Sequence, residues 1–202
     1  MTPPIVGIIG GIGSGKSLVA GEFVKHGGWL IVGDTLGHEA LRQPAIKAEV
    51  TRRWGRDLLD EQGAIKRRAL GQMVFRDPHE LRALETLVFP WIGRRIWEEI
   101  AKARLDPAVR LIVLDAAIMM EAGWDKNCDR VIYVEAPPDV RLARLQGKRG
   151  WSAREVAERE SSQLPLDDKR RRADAIIGNS GTPDQVTEQV DKLIREWKIV
   201  PS

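Results

Sequence analysis

Apolar and polar positions along this chain follow two rhythms. Short apolar runs fall at 5–9, 29–32, 110–114, 130–135 and 175–178, bounded by turn-forming or charged residues. Between them lie longer stretches in which apolar residues recur at helical spacing. Apolar strands separated by helices predict a five-stranded parallel sheet covered on both faces, an α/β fold. Right-handed crossovers then bring the loops that follow the strands to one edge, where such sheets bind ligands.

Helix starts are written clearly. Asp77-Pro78-His79-Glu80 and Thr182-Pro183-Asp184-Gln185 each offer a cap residue, a proline at the first helical position and a capping-box partner. Ser152 with Glu155 is a third capping box, after the Gly150-Trp151 turn. Two stretches break the strand–helix alternation. Residues 36–104 read as consecutive helices, interrupted near Gly55 and Gly63, and are expected to be a helical lobe inserted after strand two. Residues 144–172 are basic and helical and lie between strands four and five, the position of a lid. The expected core is therefore 1–35, 105–143 and 173–202.

Composition narrows the function. With 202 residues, 43% of them apolar, the chain can bury one α/β core with an insertion. No apolar run approaches a membrane span, and the opening residues lack the basic start of a signal peptide, so a cytoplasmic protein without membrane partners is expected. Cys128 is the only cysteine, so no internal disulfide can form. The net charge of +3 suits a polyanionic small molecule and would also suit nucleic acid. Basic residues thicken from Arg141 to Arg172, but Trp151 is the only aromatic among them, which argues against a base-stacking nucleic-acid surface. The seven tryptophans are scattered, and most of them are expected to pack the core or the lobe.

The sharpest motif is Gly10-Gly11-Ile12-Gly13-Ser14-Gly15-Lys16-Ser17, a P-loop between an apolar strand and a helix expected from Lys16 to His26. Glycines let backbone N–H groups turn inward around phosphate oxygens, and the helix N-terminus faces the anion. Lys16 can reach the β- and γ-phosphates and the Ser17 hydroxyl can ligand Mg²⁺. Asp115, ending the apolar run Leu111-Ile112-Val113-Leu114, is the matching acid for that metal. Ala116 follows it, so the Asp-Glu pair of motor ATPases is missing, as is an Asn-Lys-x-Asp segment for reading guanine.

Transfer to an acceptor hydroxyl needs a carboxylate near that hydroxyl instead. Asp34, just past the second strand, is the candidate general base; its competing reading is the N-cap of a helix starting at Thr35. Cations of the lid would screen the migrating phosphoryl group, although a solvated helix face explains most of them individually.

These residues resemble the dephospho-CoA kinase family over nearly the whole chain. The loop repeats the family's G-G-I-G-S-G-K-S, and Asp34 matches the second aspartate of its D-A-D segment. Lys66-Arg67-Arg68-Ala69-Leu70, with Phe75 and Asp77, resembles the R-R-x-L stretch of the substrate lobe. Leu84-Glu85 with Pro90 and Ile92 resembles another helix of that lobe. Asp115 to Glu121 occupies the D-x-P-L-L-x-E segment, and Arg144 with Lys148 or Arg149 the lid arginines. Gln163, Lys169, Ala173-Asp174 and Asn179-x-Gly181 match the family's ending. Val32, Gly33, His38, Phe89 and Ala117 depart from the pattern without touching the P-loop or Asp34.

The resemblance implies a kinase that moves the ATP γ-phosphate to the ribose 3′-hydroxyl of dephospho-CoA, the last step of coenzyme A synthesis. Asp34, Lys16 and Arg144 would be catalytic. Gly11, Gly13, Ser14, Gly15, Lys16, Ser17, Leu18, Arg144, Asn179 and Gly181 would hold ATP. Asp34, Arg67 and Arg68 would meet the acceptor, and Ser17 and Asp115 the Mg²⁺. Glu121 stays open between pairing with lid cations and a role in the reaction. A monomer or small homo-oligomer, free of nucleic acid, is expected. The competing readings are another P-loop small-molecule or nucleoside kinase and a non-catalytic ATP- or nucleic-acid-binding module; a pure binder has no use for Asp34.

Overall fold

A computed structural model describes residues 2–199; Met1 and residues 200–202, at the ends of the expected core, lie outside the described residues. Its centre is a five-stranded, wholly parallel sheet. The strands are β1 (Ile5–Gly10), β2 (Gly28–Val32), β3 (Leu111–Asp115), β4 (Arg130–Glu135) and β5 (Ala175–Gly178), in the order β2-β3-β1-β4-β5. Every residue of β1 and β3 is buried, which is why these strands read as unbroken apolar runs rather than alternating ones. Asp115 closes β3 within the strand, and its register partners are Ile8 on one side and Val32 on the other.

The chain divides into two compact units. One comprises the described residues up to Val32 and from Glu98 onward, and the other is Gly33–Trp97. In the sheet unit, helix α1 (Lys16–Lys25) packs against β2, β3 and the C-terminal helix of the described chain, α9 (Pro183–Glu196). Val6 and Ile8 of β1, Val19 and Phe23 of α1, and Val186 and Val190 of α9 form one buried cluster. Burying each such side chain contributes about 1.5–3 kcal/mol. On the other face of β1, a Cβ at Gly7 would meet Met119 and Cys128 within 3 Å, so that face is packed too. At the β5 edge the Gln189 amide donates to the Gly178 carbonyl (3.0 Å) and accepts its N–H (2.9 Å), blunting the exposed strand.

Three more helices follow β4: α6 (Pro138–Arg149), α7 (Ala153–Glu160) and α8 (Leu166–Arg171). The capping boxes predicted at Ser152/Glu155 and Thr182/Gln185 are both formed. In the Gly33–Trp97 unit the expected run of helices is found: α2 (Gly33–Ala40), α3 (Pro44–Trp54), a short 3₁₀ turn (Arg56–Leu58), α4 (Arg67–Val74) and the start of α5 (Pro78–Leu105). Asp77 caps α5 by accepting the His79 N–H (2.8 Å), as predicted. Glu80 does not complete that box; its carboxylate instead takes the Arg53 guanidinium (2.8 Å) and the Trp54 indole N–H (2.6 Å). Among the tryptophans, Trp124 is buried, and Trp97, at 46% exposed, is the exception to the packing expected of most of them.

Candidate active site

The loop between β1 and α1 is set by three glycines at positive φ: Gly10 (149°), Gly13 (80°) and Gly15 (92°). At Gly15 only glycine fits twice over, because a Cβ would also overlap the Asn179 side-chain nitrogen. Gly15 is the N-cap of α1, without a side-chain cap and without an acid in the first turn. The first amides of α1 therefore stay available, at the positive end of the helix, to an anion.

Side chains converge on this loop from three places. Lys16 lies back across it, donating to the Gly10 and Gly11 carbonyls at 3.2 Å each. The Ser17 hydroxyl donates to Asp115 Oδ2 at 3.1 Å, joining the start of α1 to the end of β3. From α6, Arg144 donates to the Ser14 carbonyl (3.2 Å) and the Asn179 carbonyl (2.9 Å), while the Asn179 amide donates to the same Ser14 carbonyl (2.7 Å). Residues as far apart as Ser14, Arg144 and Asn179 are thus brought together by hydrogen bonds. Leu18 is 39% exposed at the head of α1. Gly181 stands one residue before the α9 cap, where a side chain would collide with the Gln185 amide.

Sequence reasoning missed Arg141. It is buried, donates to the Ile12 carbonyl of the loop at 3.2 Å, and pairs with Glu160 at the end of α7. Its place three residues before Arg144, one turn earlier on α6, was the available signal. Lys169 is the other surprise. Grouped by sequence with the lid cations, it is completely buried and bound to Glu121 (2.7 Å), the pairing that one of that glutamate's two readings expected. The outer cations Arg154, Arg170 and Arg171 are paired at the surface, with Glu158, Glu135 and Asp168 respectively. Arg149 and Arg159 both lie over the Trp151 ring, at 5.0 and 4.4 Å from its centroid.

Asp34, Arg67 and Arg68 belong to the Gly33–Trp97 unit, and all three are exposed. The competing reading of Asp34 as a helix cap is overturned. Helix α2 begins at Gly33, so Asp34 is already inside its first turn, and its carboxylate takes no hydrogen bond or ion pair among the described residues. Arg67 and Arg68 open α4, whose N-terminus has neither a side-chain cap nor a first-turn acid.

No cluster of three or more His, Cys, Asp or Glu residues fit for a metal occurs among the described residues. One hydroxyl and one carboxylate, Ser17 and Asp115, do fit Mg²⁺, which keeps waters and takes its other ligands from substrate phosphates. The lone cysteine plays no part in this: burial, with Asp125 and Asp129 nearby, pushes the Cys128 thiol up to about 12.

A glycine-rich loop at the carboxyl edge of a parallel sheet, with a lysine across it, a hydroxyl–carboxylate pair beside it and an arginine reaching in from a neighbouring helix, is the architecture of a P-loop nucleotide-binding protein. Sequence comparison narrows the class. The dephospho-CoA kinase family profile matches residues 4–185. A dephospho-CoA kinase of Symbiobacterium thermophilum is 37% identical over 195 residues, 95% of this chain and 80% of that protein. One of Syntrophotalea carbinolica is 35% identical over 202 residues, 98% of this chain and 92% of that protein. The crystal structure of TT1252 from Thermus thermophilus superposes with a TM-score of 0.80 at 32% identity, covering 97% of this chain and 98% of that one. The chain belongs to the dephospho-CoA kinase family. It is a transferase that uses ATP, acting at the final step of coenzyme A biosynthesis, and the non-catalytic reading falls away.

Proposed function

We propose that the sheet unit binds ATP, that the helical segment 36–104 binds dephospho-CoA, that residues 144–172 act as the lid, and that Asp34 is the general base. In this mechanism the loop amides and Lys16 hold the β- and γ-phosphates. Lys16 exchanges its present carbonyl partners for phosphate oxygens, which bind an ammonium more strongly. Arg144 and Asn179, joined at the Ser14 carbonyl, border the nucleotide, with Gly181 beside them. Arg144 offers its charge to the phosphates as the lid closes. Ser17 and Asp115 would hold Mg²⁺, which neutralises charge on the β- and γ-phosphates when bound.

The acceptor's ribose 3′-hydroxyl forms the new bond to the γ-phosphorus as the bond to the ADP oxygen breaks. Its proton passes to the Asp34 carboxylate. The observation that carries this role is the placement of Asp34: an exposed carboxylate two residues past β2, inside the first turn of α2 and bound to no other group among the described residues. Arg67 and Arg68, beside the uncapped start of α4, suit the acceptor's phosphates. We place the enzyme in the cytoplasm as a monomer or small homo-oligomer, working without nucleic acid or membrane; no described helix is long and apolar enough to cross one.

Acceptor-dependent ADP release tests the reaction, with dephospho-CoA, adenosine, shikimate and buffer alone as acceptors; only dephospho-CoA should support turnover. For the base, Asp34→Asn should lower kcat about a hundredfold or more while ATP affinity stays within about twofold of wild type. Turnover near wild type in that variant would remove Asp34 from the chemistry.

A further inference from the structure

The reaction as derived leaves one buried polar cluster unused, and it centres on Lys169. This lysine of α8 is 0% exposed, and its ammonium meets three acceptors, one for each hydrogen. They are the Ala117 carbonyl (2.9 Å), Gln163 Oε1 (3.0 Å) and Glu121 Oε1 (2.7 Å). Glu121 Oε1 also accepts the Leu164 amide at 2.9 Å. Its other oxygen is buried without a hydrogen bond among the described residues. Buried ion pairs are often no more stabilising than apolar residues of the same volume, so stability alone explains this one poorly.

Its connections offer a better reason. Ala117 is the second residue past Asp115, whose carboxylate accepts the Ser17 hydroxyl. Gln163 and Leu164 lie in the turn between α7 and α8, within the basic segment. Just before that turn, Glu160 pairs with Arg141, which donates to the Ile12 carbonyl of the P-loop. The turn is therefore tied to both halves of the phosphate site, to the loop through Arg141 and to the backbone beyond Asp115 through Lys169.

We propose that Lys169 is a positioning residue for the metal side of the active site. It fixes the backbone immediately after Asp115 and so holds that carboxylate in register with Ser17; it touches no reacting atom itself. Without its ammonium, the Ala117 carbonyl loses a donor, Glu121 becomes an uncompensated buried charge, and the 116–123 segment relaxes. The inference rests on the reading of Asp115 as the acid that faces Mg²⁺. Groups one step behind metal ligands typically affect affinity or activity by about 10–100-fold when removed.

The experiment compares wild type, Lys169→Met, the double variant Lys169→Met/Glu121→Leu, and Asp115→Asn. Calorimetry measures ADP binding with and without Mg²⁺, a Mg²⁺ titration measures turnover, and thermal unfolding monitors the fold. The double variant strands no charge, so it should melt well above the single variant and fold even where that one folds poorly, short of wild type only by the lost Leu164 and Ala117 hydrogen bonds. Both lysine variants should bind metal-free ADP normally. The affinity gained on adding Mg²⁺ should fall about tenfold, and the Mg²⁺ needed for half-maximal turnover should rise by a similar factor, with the acceptor KM unchanged. A double variant with wild-type magnesium gain and turnover would reduce Lys169 to packing and overturn the proposal. Should Asp115→Asn also keep the full gain, the reading of Asp115 fails and the inference goes with it. Loss in Asp115→Asn with none in the lysine variants sinks the inference alone.

Discussion

Around the P-loop, side chains arrive already engaged. Lys16 rests on two carbonyls, Ser17 on Asp115, and Arg144 and Asn179 on one shared carbonyl of Ser14, with Arg141 beneath. In the Gly33–Trp97 unit the groups assigned to the acceptor are built differently. Asp34 and Arg67 are exposed on first turns of helices, without such a network. Phosphate is a ligand of fixed size and geometry, so a site for it can be formed in advance and held by backbone. A large, flexible acceptor is better met by exposed groups that find their partners on binding.

The largest effect expected from this contrast is at Lys16. Lys16→Met should lower kcat about a thousandfold, since its charge sits where negative charge builds during transfer. Steady-state kinetics should show kcat/KM for ATP and for dephospho-CoA falling together. Asp34→Asn should differ in kind, losing kcat with ATP affinity intact. If both variants change ATP affinity equally, Lys16 and Asp34 do not serve separate functions.

Asn179→Ala comes next. It removes a hydrogen bond to a buried carbonyl and the wall against which Gly15 packs. A lost bond of this type costs about 1–3 kcal/mol, hence a rise of about tenfold in KM for ATP with little change in the acceptor KM. Arg67→Ala should do the reverse on a smaller scale, raising the dephospho-CoA KM about fivefold and sparing ATP binding, because an exposed cation near a phosphate is screened by water and salt. A larger ATP effect than acceptor effect would reverse its assignment.

The same contrast explains what was legible in the sequence. The strands were readable to within a residue at each end because turn-forming or charged residues bound their apolar runs, most sharply for β1 and β3, which are buried throughout, and the P-loop because its glycines are dictated by local geometry. Two capping boxes were readable for the same local reason. Glu80 was misread because a partner from another helix, Arg53, outbids the local amide. Arg141 and Lys169 were hidden for a related cause. Their partners Ile12 and Ala117 are distant in the chain, and a buried cation looks in sequence like a solvated one. Asp34 was legible as a candidate, but its helix start was placed two residues late, which kept the cap reading alive.

The smallest expected effect lies behind the sheet, at Cys128. Its single thiol proton has two alternative weak acceptors, Met119 Sδ and the Trp124 carbonyl, each 3.8 Å from the sulfur, and the thiol faces the Cβ-less space of Gly7 in β1. With the folded thiol held protonated up to about 12, almost no thiolate exists at pH 8. Iodoacetamide should therefore label the folded enzyme slowly and leave turnover unchanged, whereas protein unfolded in denaturant should label at the rate of a free cysteine. The sign for stability follows from the raised value. Below the unfolded thiol's range near 8.5 both states are protonated and nothing is lost. As pH climbs from there toward about 12 only the unfolded chain releases its proton, so stability falls through that window. Cys128→Ala should flatten that part of the pH–stability curve in denaturant titrations. Rapid labelling of the native enzyme at pH 8, with turnover lost in step, would instead make this side of β1 open and tie it to the P-loop that the strand leads into.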